Sequence, residues 1–221
     1  DRLSYLIEKK KDKIFFKTDF EVKSNALNLE LLNYTKKKGV KSNLIVEGVV
    51  NKNNSVFLNK INFAESKNFI KVKNINLNSN KKLKRIDQVN VNLVNNNDQV
   101  SQLNIKRKKS NYSINSKIFD GAKILDRILF SKSEGNFFDL FEKLNSKILL
   151  NFDNIYITNE DYLTSFKADI IVNNNQIKDL VLSSQFSTKE DLKLSIKTNS
   201  NNERITDLFA GNAKPLVKKY D

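Results

Sequence analysis

Residues 111–130 read NYSINSKIFDGAKILDRILF, and the change of rhythm inside this stretch decides the fold. Tyr112, Ile114, Ser116 and Ile118 alternate with Ser113, Asn115 and Lys117, the period of two of a strand with unlike faces. At Asp120-Gly121 the period becomes helical, with Ile124, Leu125, Ile128 and Leu129 on one stripe. A strand therefore hands over to a short amphipathic helix. Asp120 is placed to cap that helix by accepting from its free backbone N–H groups, and Gly121 permits the turn into it. A looser copy closes the chain, where Ile205, Leu208 and Phe209 lead through Ala210-Gly211-Asn212 into AKPLVKKY. Two sheet-then-helix units are predicted, residues 1–130 and residues 131–221, as one continuous elongated fragment of a larger protein.

Upstream of the opening stretch, the apolar spacing predicts a meander. Ile14–Val22 alternates, Asn25–Leu32 offers Leu27, Leu29 and Leu31, and Tyr34–Lys41 reads as the following turn. Leu44–Val50 is apolar on both faces, as in a strand covered on both sides. Asn51–Asn54 joins it to Ser55–Phe63, where the alternation puts Phe57, Ile61 and Phe63 on one face. Val89, Val91 and Leu93 then face inward against Asn90 and Asn92. The second unit is more regular, with Phe166, Ala168, Ile170 and Val172 on one side of a strand and Leu192, Leu194 and Ile196 on one side of another. Its turns are only a few residues long, which dictates antiparallel order. Between the units, Phe137, Phe138, Leu140, Phe141 and Leu144 form a helical stripe, read as a plug for the open end of a sheet or as an insertion into a membrane interface.

Composition narrows the function. The 221 residues contain no Cys, no His and no Met, so disulfides, thiolate sites, imidazole bases and His-Asp-Ser triads are unavailable and the chain is expected to begin inside a longer gene product. No apolar run reaches the ~18 residues of a membrane span. The formal charge of +14 comes from 39 Lys and Arg against 25 Asp and Glu, in a chain whose polar positions are filled mostly by Lys and Asn, with basic runs at 9–13, 36–38, 81–85 and 106–109. No aromatic interleaving of the kind that stacks bases accompanies them, so an acidic membrane surface is a better match than a nucleic acid. The acidic pairs Asp120/Asp126, Glu160/Asp161 and Glu190/Asp191 fall at a helix cap or in turns, and with 5 Gly no phosphate loop follows a strand. No enzymatic activity and no cofactor or metal is expected.

About ten strands with one apolar face each, and only three short helices, leave that face short of cover. A sheet folded into a sandwich, a covering partner, or a hydrophobic ligand would each supply it. The FDGAKILDRI step after a Tyr/Ile strand, with Tyr112, Ile114, Phe119, Asp120, Gly121, Ala122, Ile124 and Leu125, resembles the strand-to-helix step of the AsmA-like family, in its YhdP-type bacterial envelope proteins. Ala210, Gly211, Asn212, Ala213, Leu216 and Val217 resemble the family's closing segment, with Pro215 tolerated in a first helical turn. The resemblance implies the periplasmic portion of an inner-membrane-anchored protein, the anchor lying outside this sequence. It further implies a mainly β fold: an elongated, curled, groove-like antiparallel sheet with a few short helices, a β-sandwich being the alternative. The groove would carry phospholipid acyl chains between inner and outer membranes, with Val89, Val91, Leu93, Phe166, Ile170, Leu192, Leu194 and Ile196 as its candidate lining. The same residues suit an ordinary sandwich core. Alternatives in function are a non-catalytic structural or interaction module of an envelope protein and, third, a basic nucleic-acid-binding β domain.

Overall fold

Polar turns between alternating segments dictate hairpins, and the computed structural model, which describes residues 1–124, 137–199, 201 and 203–220, is built from them. The first half contains β1 (Arg2–Lys10), β2 (Lys13–Val22), β3 (Leu27–Leu29), β4 (Tyr34–Lys36), β5 (Ser42–Asn51), β6 (Val56–Glu65) and β7 (Asn68–Leu77). It continues with β8 (Leu83–Val94), β9 (Val100–Lys108) and β10 (Asn111–Asp120). The second half contains β11 (Ser146–Tyr156), β12 (Tyr162–Asn173), β13 (Gln176–Phe186), β14 (Asp191–Thr198), β15 (Arg204–Ala210) and a helix over Lys214–Tyr220.

Thirteen strands form one sheet in the order β1-β2-β5-β6-β7-β8-β9-β10-β11-β12-β13-β14-β15, and β3 and β4 make a separate two-stranded ribbon. The curled, groove-like sheet is overturned, and so is the alternative sandwich: the strands stay in a single open, uncurled layer whose edges, β1 and β15, do not pair with each other. Each hairpin sets a strand beside its predecessor, so the order grows sideways without closing. Curling is also not needed to cover the central apolar face, because segments outside the sheet lie on it.

Three such segments do so. The β3–β4 ribbon, with a 3₁₀ turn at Glu30–Leu32, packs Tyr34 against Phe63, Val91 and Leu93. Phe138, within the 3₁₀ turn Phe137–Leu140, and Leu144, which follows it, pack against Tyr112, Ile148 and Val172. Leu216 of the C-terminal helix lies against a cluster built on Phe119, Phe152, Phe166 and Phe186, in which Phe152 and Phe166 stack at 5.6 Å. Leu32 touches both this cluster and that of Tyr34, so the ribbon ties the first half of the sheet to the second.

Four local expectations change. Antiparallel order holds at every junction but one: β10 and β11 are parallel, with Ile114 opposite Leu150, because the 121–145 connection is long enough for a crossover. Tyr34–Lys36, expected as a turn, is a strand, and Asn25–Leu32, expected as a strand, is a short strand followed by a 3₁₀ turn. The face shared by Phe57, Ile61 and Phe63 is also wrong. An irregularity at Asn59 puts Leu58 beside Gly48 and Ile75 on the apolar side, and turns Phe57 to the side of Val49. Residues 122–124 begin the predicted helix, whereas Leu125, Ile128, Leu129, Gly135 and Asn136 lie outside the described residues.

Candidate functional site

The register of the sheet aligns a row of side chains on one face through every strand. From edge to edge it runs Tyr5, Thr18, Val46, Ile61, Val72, Val89 and then Ile105, each directly opposite the next. It continues through Ile114, Leu150, Ala168, Leu182, Leu194 and Leu208. Twelve strand spacings make this band about 58 Å long. Thr18 alone interrupts it with a small polar group, and Tyr5 ends it.

The opposite face carries a contrasting row. Asn90, Asn104, Asn115 and Asn151 stand opposite one another on β8 to β11, and the Asn104 side-chain amide donates to the Asn90 carbonyl oxygen. Further along the same face, Lys60 and Lys17 lie 3.2 Å and 3.3 Å from one Glu47 carboxylate oxygen and hold that carboxyl below its usual range. The two faces thus differ chemically, the band aliphatic from strand to strand and the other face mixing these amides and charges with apolar side chains such as Ile45, Val49, Leu149 and Val181.

Cover on the apolar face is uneven. In the second half the positions beside the band are sealed, with Phe152, Phe166, Val172, Leu180 and Phe186 all buried, while in the band itself Ala168 is buried, Leu150, Leu182 and Leu194 are half-buried and Leu208 at the β15 edge is 60 % exposed. Val46, Ile61 and Val72, adjacent on β5, β6 and β7, are only half-buried and belong to none of the buried clusters among the described residues. Toward the β1 edge exposure rises further, reaching 69 % at Tyr5. Uncovered aliphatic surface therefore runs from β7 to the β1 edge.

All eight residues nominated from sequence lie on this apolar face, but under different cover. Leu93 is 0 % exposed beneath Tyr34, and Val91 is buried beside it. Phe166, Leu192 and Ile196 are buried in the second half. Val89, Ile170 and Leu194 are half-buried, Val89 and Leu194 standing in the band itself. Val46, Ile61 and Val72 were not among the candidates. Their signal is weak in the sequence because β5 is apolar on both faces, so that alternation gives Val46 no more weight than Ile45.

Asp120 does more than cap. Its Oδ1 accepts from the Ala122 N–H at 3.2 Å, as expected of a cap, while Oδ2 accepts from the side-chain amides of Asn33 at 2.9 Å and Asn95 at 2.7 Å. One buried carboxylate thereby joins the end of β10 to the ribbon and to the β8–β9 turn. Gly121 serves a different need from the turn assigned to it. Its N–H donates to the Tyr156 carbonyl at 3.0 Å, and a Cβ there would meet Ile155 Cδ1 at 2.6 Å, so glycine is required by close approach to β11.

No family model, no curated protein and no solved structure matches the chain.

Proposed function

We propose that the chain is a non-catalytic lipid carrier that holds phospholipid acyl chains on the apolar band of its open sheet. The observation that carries this reading is the uncovered stretch at Val46, Ile61 and Val72 within a band that crosses all thirteen strands. An acyl chain needs apolar area out of water and no directed donor or acceptor, and each methylene laid down contributes about 0.8 kcal/mol. A band of aliphatic side chains with no polar group aimed at it beyond Thr18 suits such a ligand better than it suits a polar substrate. The resemblance to the AsmA-like family adds the setting: the periplasmic portion of an inner-membrane-anchored envelope protein, passing phospholipid toward the outer membrane. The alternative reading, a structural or interaction module, draws on the exposed apolar side chains of β1 and β15, which would seat another protein.

The test is lipid extraction from the purified chain followed by mass spectrometry. Phospholipid is expected in the native protein and lost from Val46→Glu/Val72→Glu, whose positions lie outside the buried clusters. Lys71→Glu, on the other face between Asn62 and Asn90, is expected to retain it. Absence of lipid from the native chain, or equal lipid in both variants with unchanged melting, overturns the proposal. A defined dimer through the β1 edge without lipid would favour the interaction module.

A further inference from the structure

Strand direction sorts the turns of the sheet onto two rims. The β1–β2, β5–β6, β7–β8 and β9–β10 turns fall on one rim, and the parallel β10–β11 step brings the β12–β13 and β14–β15 turns to the same side. The β6–β7, β8–β9, β11–β12 and β13–β14 turns fall on the other.

Three of the four basic runs of the sequence, far apart along the chain, meet on the first rim. The β1–β2 tip brings Lys10, Lys11 and Lys13, the β7–β8 tip Lys81, Lys82 and Lys84, and the β9–β10 tip Lys108 and Lys109. Neighbouring turns on a rim are two strand spacings apart, about 10 Å. The opposite rim is acidic or mixed at its turns, with Asp98, Glu160, Asp161 and Glu190 against Lys67 and Lys189. The fourth run falls there, and its Lys36 is 0 % exposed. Exposed Lys23, Lys37, Lys38 and Lys41 lie on that side too, on the β2–β5 connection, so both rims carry lysine; the first is set apart by lysines at three hairpin tips, with Glu8, Asp12, Asp139, Glu142 and Glu203 as its acidic residues.

Acidic neighbours offset the first rim only in part. Lys10 lies 3.0 Å from Glu8, Lys52 3.7 Å from Asp12 and Lys84 3.6 Å from Glu142, all exposed pairs that water screens. Lys11, Lys13, Lys108 and Lys109 have no carboxylate partner among the described residues.

We propose that this rim docks the protein on the surface of a bilayer containing anionic phospholipid. The inference stands on charge placement and does not depend on the apolar band carrying lipid. Two features favour a bilayer over a nucleic acid. The rim is dominated by lysine, a compact point charge, rather than by the arginine forks that grip phosphate in two places. Exposed apolar side chains also sit on it: Ile14 and Phe15 beside the β1–β2 tip, and Leu140, 61 % exposed, beside Lys82, whose Nζ donates to the Asp139 carbonyl at 2.7 Å. A bilayer interface takes up such groups, whereas a phosphate backbone offers them nothing.

The experiment is co-sedimentation of the whole chain with vesicles of phosphatidylcholine, with or without about one-third phosphatidylglycerol. Binding is expected on the anionic vesicles only, with release as salt rises from about 0.05 M to about 0.5 M. Each rim lysine neutralised should weaken binding about fivefold, and the triple Lys11→Asn/Lys108→Gln/Lys109→Asn about a hundredfold. Asn is chosen at 11 and 109 because both hold a left-handed backbone, with φ of 51° and 57°. The matched triple Lys37→Gln/Lys38→Gln/Lys67→Gln on the other rim should bind as the parent does. Equal binding to neutral vesicles, equal loss in the two triples, or tighter binding to a single-stranded oligonucleotide than to anionic vesicles would each overturn the proposal.

Discussion

At Asp120 one buried carboxylate receives donors from three separate segments: the Ala122 N–H, the Asn33 amide and the Asn95 amide. Removing it strands those donors away from water, each at a cost typical of a buried, unpaired polar group. Asp120→Ala is therefore expected to lower stability by about 3 kcal/mol in urea unfolding. Asn212→Ala, which removes an acceptor for the Lys214 N–H at the last helix, should cost about 1 kcal/mol. Equal losses would reduce Asp120 to an ordinary cap. The cap was legible in the sequence because Asp before a helical period is a local signal. The two amide partners were not, since Asn33 is 87 residues distant and nothing in the order of residues announces the meeting. Lys36 hid in the same way: within a run of three lysines it reads as solvated, yet its Nζ donates to the carbonyls of Asn25 at 2.7 Å, Lys37 at 3.3 Å and Lys23 at 3.4 Å.

At the scale of elements, the β3–β4 ribbon is the piece whose loss would expose Phe63, Val91 and Leu93 in the first half. Tyr34 anchors it, buried against Phe63 with its hydroxyl donating to the Glu65 carboxylate. Burial pushes this phenol up from its usual range, and the Glu65 contact adds to the shift. The folded state thus keeps a proton that the unfolded chain releases near pH 10, so stability present below that pH is lost as pH rises above it. Thermal melting at rising alkaline pH should show this decline, and Tyr34→Phe should lessen it relative to the parent. An identical alkaline slope in the two proteins would contradict the placement of Tyr34. Tyr112, also pushed up by burial, contributes in both. The ribbon itself escaped sequence reading because three-residue strands give alternation too little length to register, and Gly39 in the segment pointed to a turn. The long strands were legible for the opposite reason: Val89 to Leu93 in β8, Phe166 to Val172 in β12 and Leu192 to Ile196 in β14 alternate without interruption. Where a strand breaks its own alternation, as at Asn59 in β6, the face assigned from sequence fails beyond the break.

For the whole molecule, the sequence shortage of helices pointed correctly to a wide sheet with an apolar face, and the polar turns to its hairpins. It could not show that one row of side chains stays in register from Tyr5 to Leu208, because that depends on twelve independent pairings. Nor could it show that the sheet stays open, since strand order alone does not separate open from closed until the edges are placed. The open sheet leaves an apolar face half-buried along much of its band and exposed at both edges, β1 and β15, with a rim of lysines along one side. The most direct test of a lipid on that face is photo-crosslinking from single positions to acyl chains of phospholipid carrying a photoreactive tail. Crosslinks are expected from a photoreactive residue at Val46, Ile61 or Val72 and not from one at Lys71 or Lys167 on the other face. Equal labelling from both faces, or none from the band, would contradict the account.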